Sequence, residues 1–80
     1  MSEIKLSEEA KNLKLGIYQH YKNGKQYRVL SVALHSETLE EMVIYQALYG
    51  ENLIWARPFK MFTENVDFNG ESVPRFKFIK

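Results

Sequence analysis

The stretch GIYQHYKNGKQYRVLSVALH, residues 16–35, decides the fold. Runs rich in Tyr, Val and Ile flank Lys22-Asn23-Gly24-Lys25. Both residues of an Asn-Gly pair accept positive φ, which makes it a strong short-range hairpin signal between such runs. Two antiparallel strands are predicted, over about 16–21 and 26–35. Further along, MVIYQALY (42–49) and NLIWARP (52–58) read as a second strand pair joined through Gly50-Glu51-Asn52. Pro58 has no N–H to give a ladder, so the fourth strand must end there or lie at an edge. The following FKMF is predicted to make one helical turn that offers Phe59 and Phe62 as a core plug.

A second Asn-Gly pair, at positions 69 and 70, lies between alternating runs in ENVDFNGESVPRFKFIK and predicts a closing hairpin, with Pro74 delaying its last strand. On the N-terminal side, Ser7 precedes Glu8 and Glu9, a capping residue followed by carboxylates that favour a helix start. A short helix is expected from there to about Leu15, closed by Gly16. The fold class is therefore mainly β: a small SH3-like antiparallel barrel or strongly curved sheet of five to six strands with a short N-terminal helix. Residues 1–15 are expected to form a helical extension and residues 16–80 the barrel domain.

Eighty residues, 45% of them hydrophobic, suffice for a single small core. There is no cysteine, which excludes disulfides, thiolate metal sites and a Cys nucleophile, so five Phe, five Tyr and Trp55 must carry much of the burial. The first sixteen residues mix charges and contain no apolar run of signal-peptide or membrane-span length, so the expected setting is cytoplasmic, with no membrane partner. Eleven basic against ten acidic residues give a net charge of +1, too weak a field to draw in nucleic acid unless the charge is local.

Taken together, GIYQHYKNGKQY, HSETLE, VIYQALYG, LIWARPFKMF and VPRF resemble, in order and spacing, the small bacterial family called domain of unknown function 1653. The resemblance runs from Gly16 to about Phe78 and implies an SH3-like barrel without an assigned biochemical role. Two departures stand out. Lys22-Asn23-Gly24 replaces the compact Lys-Gly that the family usually has, and Leu34 stands where the family often has Arg before the His-Ser-Glu-Thr run.

That run, His35-Ser36-Glu37-Thr38, gathers an imidazole, a carboxylate and two hydroxyls in one bend. In an extended chain His35 and Glu37 share a face while Ser36 points away, which breaks the Ser-to-His contact a hydrolase needs. The chain contains no nucleophile elbow, phosphate loop or HExxH spacing, so no cofactor is expected. His35 with Glu37, joined by His20 from the neighbouring hairpin, remains an alternative metal-dependent or hydrolytic constellation. The plainer reading is that His35 pins the bend.

In the third strand Val43, Tyr45, Ala47 and Tyr49 fall on one face and Met42, Ile44, Gln46 and Leu48 on the other. Ile44 and Leu48 are assigned to the core, leaving Tyr45 and Tyr49 on a wetter surface. Trp55 and Arg57 also share a face, a stacking plane beside a fork that can hold a carboxylate or phosphate. The alternative for this pair is a core Trp and an Arg bridged to Glu37 or Glu64. The favoured function is a non-enzymatic binding module, a monomer or weak dimer. It would recognise a small anionic ligand or a peptide carboxylate through His35, Ser36, Glu37, Thr38, Tyr45, Tyr49, Trp55 and Arg57. The competing function is RNA or single-stranded nucleic-acid binding through the basic-aromatic hairpin of Lys22, Lys25 and Arg28.

Overall fold

A computed structural model describes residues 4–80. In chain order the elements are α1 (Glu8–Lys11), β1 (Gly16–His20), β2 (Gln26–Leu34), β3 (Glu41–Ala47), β4 (Ile54–Pro58), α2 (Phe59–Thr63), β5 (Asn65–Phe68), β6 (Glu71–Pro74) and β7 (Phe76–Phe78). Five strands form an antiparallel sheet in the order β4-β3-β2-β1-β7, and β5 and β6 form a separate ribbon. The sheet is not closed; β4 and β7 are its edges. None of the helices among the described residues is long and apolar enough to cross a membrane.

The two Asn-Gly pairs behave differently. Asn69 and Gly70 both take positive φ between the paired Phe68 and Glu71, the two-residue turn whose twist matches a hairpin. At the first pair only Gly24 is positive, and the Asn23 side chain instead accepts from the Lys25 N–H at 2.8 Å. The β1–β2 connection is therefore a wider loop than the dipeptide suggested, because an Asn side chain that mimics a backbone acceptor removes the need for its own positive φ.

The ladder explains Pro58. The Ala47 N–H donates to the Leu53 carbonyl at 2.9 Å, and antiparallel pairs alternate, so Tyr45·Trp55 and Val43·Arg57 exchange hydrogen bonds while Met42·Pro58 does not. The missing N–H of Pro58 faces outward from the edge, where its absence costs the sheet nothing.

One face of the sheet carries the core. Tyr18, Tyr27, Val29, Val43, Tyr45, Ala47 and Phe76 are buried there, and α2 lays Phe62 against them. Ring contacts measure the curl. In a flat sheet side chains on β3 and β7 would stand about 14 Å apart, yet the Tyr45 and Phe76 ring centroids are 5.5 Å apart. A bulge at Leu30, between the paired residues Val29 and Ser31, bends β2 and helps the sheet close upon its own aromatic face.

Two expectations are corrected. The core face of β3 is Val43, Tyr45 and Ala47, whereas Leu48 is exposed and Ile44 half-buried. Both faces of β3 are apolar, so alternation could not choose between them; the aromatic partners of β2 and α2 did. Secondly, α1 stops at Lys11 rather than near Leu15. Its Ser7 does cap it, accepting from the Ala10 N–H at 3.1 Å, but so short a helix with one buried residue is held by docking rather than by propagation. Ser7 also donates through N and Oγ to the Glu41 carboxylate, which ties the segment to β3.

Gly16 opens β1 rather than closing a helix, with φ 152°. A Cβ there would lie 2.6 Å from the Lys80 carbonyl oxygen, where the C-terminal residues run hydrogen-bonded alongside β1 in continuation of β7. Gly16→Ala is expected to lower stability by about 1–3 kcal/mol through backbone strain and overpacking. Gly50→Ala, which meets no atom within 4 Å, should show only the cost of its positive φ, about 1–2 kcal/mol. Urea midpoints at constant m-value check both. In the same assay Phe62→Ala, at 1% exposure, is expected to lose about 3–5 kcal/mol. Trp55→Ala, at 49% exposure, should lose under about half of that.

Candidate functional site

Because the sheet curls and α2 covers only part of its aromatic face, the remainder forms an open cleft of about 250 Å³. It is lined by His20 from β1, Asn23 from the following loop, Tyr27 from β2, Tyr45 from β3, Tyr49 just beyond it, Trp55 and Arg57 from β4, and Phe76 from β7. Period-two alternation accounts for most of this set. Tyr45 is paired with Trp55, Val43 with Arg57, and His20 with Phe76, so these side chains all rise from the same face.

Polar atoms are placed in pairs. The Arg57 Nε–H donates to the Tyr45 hydroxyl at 3.1 Å, and the guanidinium lies over the Phe76 ring, 5.6 Å from its centroid. The Tyr27 and Tyr49 hydroxyls hydrogen-bond at 2.7 Å, and Lys25 Nζ stands 4.3 Å from the Tyr49 ring centroid at the rim. Burial, then the hydrogen bond to Tyr49, pushes the Tyr27 phenol up to about 12, against a lowering by the Asn23 side chain. His20 accepts the Lys22 N–H on Nδ1 at 3.2 Å, and its ring meets Phe76 edge-on. Its pKa is lowered by burial first, then by Arg57, Arg75 and Lys22. No carboxylate lines the cleft. Glu64 pairs with Arg75, and the Arg57 Nε–H is turned to the Tyr45 hydroxyl.

The structure divides the residues singled out in the sequence. Tyr45, Tyr49, Trp55 and Arg57 are brought together in the cleft, Trp55 as an exposed ring and Tyr45 with its body in the core and its hydroxyl on Arg57. His35, Ser36, Glu37 and Thr38 are not brought to it. They sit at the far end of the β2–β3 hairpin, where His35 Nδ1 accepts the N–H groups of Glu37 at 3.1 Å and Thr38 at 3.3 Å. The Thr38 hydroxyl then accepts from the Glu40 N–H, and Leu39 closes the bend at φ 63°. All of these loop residues are exposed. His20 and His35 lie at opposite ends of β2, a separation on the order of 25 Å. Among the described residues no group of three His, Asp or Glu side chains is placed to hold a metal ion.

The basic hairpin is also divided. Lys25 reaches the cleft rim and Lys22 adjoins His20, but Arg28, paired with Ile17 and Gln46, projects from the opposite face of the sheet. Four lining residues were absent from the expected binding set: His20, Asn23, Tyr27 and Phe76. The signal for Tyr27 and Phe76 was their strand alternation. Nothing local, however, tells that strands distant in the chain curl toward each other.

A family profile described as protein of unknown function (DUF1653) matches residues 16–78. No curated protein matches the chain. Among solved structures the chain is similar to the crystal structure of a DUF1653 protein from Bordetella bronchiseptica, with 32% identity and a TM-score of 0.79. The match covers 88% of this chain and 91% of the other. With the profile spanning most of its length and that neighbour agreeing in fold, the chain belongs to the DUF1653 family.

Proposed function

We propose that this domain is a non-enzymatic binding module whose cleft receives a small anionic ligand. The observation that carries the reading is the one-sided chemistry of the lining: hydroxyl and amide donors and the Arg57 guanidinium, with no carboxylate among them. Arg57 supports it most. Its Nε is spent on Tyr45, which fixes the guanidinium plane and leaves the Nη groups free to form a forked contact with an oxyanion. The Tyr27–Tyr49 hydroxyl pair can pass only one of its two protons between its own oxygens, so the other is available to a ligand. At about 250 Å³ the space lies below the roughly 300–1,000 Å³ of drug-sized sites. The ligand is therefore small, or is the tip of something larger such as a peptide terminus. The His35–Thr38 bend is not needed by this reading, since its His35 and Thr38 side chains already accept from its own backbone N–H groups.

Titration of labelled protein with acetate, benzoate and inorganic phosphate, followed by amide chemical shifts, tests the proposal. Saturable shifts are expected at Tyr45, Tyr49, Trp55 and Arg57, reduced about tenfold in affinity by Arg57→Gln, which corresponds to about 1.4 kcal/mol. The proposal fails if responding amides lie elsewhere. Salt-sensitive shifts confined to Lys22 and Lys25 on adding a single-stranded oligonucleotide would favour the nucleic-acid reading instead.

A pH dependence follows from His20. An anion in the cleft favours the charged imidazole, so the bound pKa exceeds the lowered free value, and binding takes up protons between the two. Affinity should accordingly rise as pH falls through that window and level off below the free value. His20→Gln is expected to flatten the profile while leaving affinity at neutral pH within about threefold. Anion titrations at a series of pH values check this.

A further inference from the structure

The cleft is graded from floor to mouth. Tyr45, Phe76 and Tyr27, at 4%, 6% and 7% exposure, form its floor, whereas Trp55 and Tyr49, at 49% and 37%, stand at its opening. The oxyanion-seeking groups lie against the floor rings: Arg57 over Phe76, and the Tyr49 hydroxyl reaching in from the opening to that of Tyr27. The exposed ring surface belongs to the mouth. A ligand complementary to this order enters acid first and leaves a flat apolar body between the walls.

We infer that the cleft takes an aromatic carboxylate: a –COO⁻ group held by Arg57 and the floor hydroxyls, attached through one to three bonds to a flat ring laid against Trp55. This rests on the anion-binding reading above and narrows it to a ligand class. A carboxylate suits the floor better than a phosphate does. Arg57 is its one permanent cation, and a guanidinium fork matches the planar monoanion two bonds to two oxygens. A phosphate dianion would ask for further charge, and the nearest candidate, His20, has its Nδ1 occupied as an acceptor by the Lys22 N–H, an arrangement that disfavours the imidazolium.

The ring requirement comes from Trp55. It lies on the edge strand β4, opposite Tyr45, half-exposed, and contributes its surface to the cleft instead of to the core cluster. Tyr49 is held in place beside it: its hydroxyl is tied to Tyr27 and Lys25 covers its face. Rings fixed from behind offer stacking surface without having to order themselves on binding. Two sources supply this chemistry, a free aromatic acid and the C-terminal aromatic residue of a peptide.

Trp55 is the only tryptophan of the chain, so its emission reports on this site alone. The full-length protein is titrated with 3-phenylpropionate, with acetate, with 3-phenyl-1-propanol and with inorganic phosphate, following Trp55 emission and the amide shifts of residues 45, 49, 55 and 57. The expected result is saturable binding of 3-phenylpropionate at least tenfold tighter than that of any of the other three. Trp55→Leu should erase the advantage over acetate, and Arg57→Gln the advantage over the alcohol, with dispersed amide spectra showing that both variants fold. Acetate or phosphate binding as tightly as 3-phenylpropionate overturns the aromatic inference and leaves the anion reading standing. Equal binding of the alcohol overturns both, as does silence at all four amides. N-acetylphenylalanine, its amide and the tripeptide Ala-Ala-Phe then assign the source. Tripeptide binding tighter than that of the free acid, lost on amidation, places the ligand at a chain terminus; exclusion of the tripeptide places it among free acids.

Discussion

The ring of Phe76 holds the fold together. It stacks on Phe62 at 4.3 Å with planes 6° apart and lies within ring-contact distance of Tyr27, Tyr45 and His20. Phe76 is on β7, at one edge of the sheet, and Tyr45 is on β3, next to the other edge, so their contact requires the sheet to curl. Each ring pair adds about 0.5–1.5 kcal/mol beyond its burial, and several pairs sharing one ring are enough to matter in a core of this size. Without cysteines, the chain relies on this cluster for what disulfides provide in other small domains.

The same contact creates the cleft. Curling brings β4 and β7 toward each other, which lets Arg57 of one edge lie over Phe76 of the other. A cation on the face of a buried ring is stabilised by the ring quadrupole, and the Tyr45 hydroxyl fixes its direction. Core and site therefore share side chains: Tyr27, Tyr45 and Phe76 bury their rings and line the cleft floor. Binding chemistry here is built from the polar tips of core aromatics. This is why Tyr suits positions where Phe would pack equally well.

The His-Ser-Glu-Thr bend shows how a dense set of functional groups can be consumed by local structure. A six-residue excursion between β2 and β3 exposes backbone N–H groups, and the His35 imidazole and Thr38 hydroxyl accept from three of them. Adjacent polar residues find the nearest backbone partners first, because those contacts need almost no loop closure. Cleft residues, by contrast, come from five separate strands and two loops.

The first four strands in their order along the chain, the Asn69-Gly70 turn, the Phe62 plug and the end of β4 at Pro58 were legible because each rests on local stereochemistry or period-two alternation; the expected five to six strands became seven because the last run divides at Arg75 into β6 and β7. The Trp55/Arg57 pair and the Tyr45/Tyr49 face were legible as pairs for the same reason. Which face of β3 is buried was not, since Val43, Tyr45 and Ala47 compete with Ile44 and Leu48 at similar hydrophobicity, and only partners on β2, β7 and α2 break the tie. Nor was the union of His20, Tyr27 and Phe76 with Arg57. Sequence by itself set the strands, their alternation and the supply of aromatic residues. Tertiary structure alone decided that β7 pairs with β1 and curls toward β4, because that depends on ring contacts between residues far apart in the chain, which no local pattern encodes.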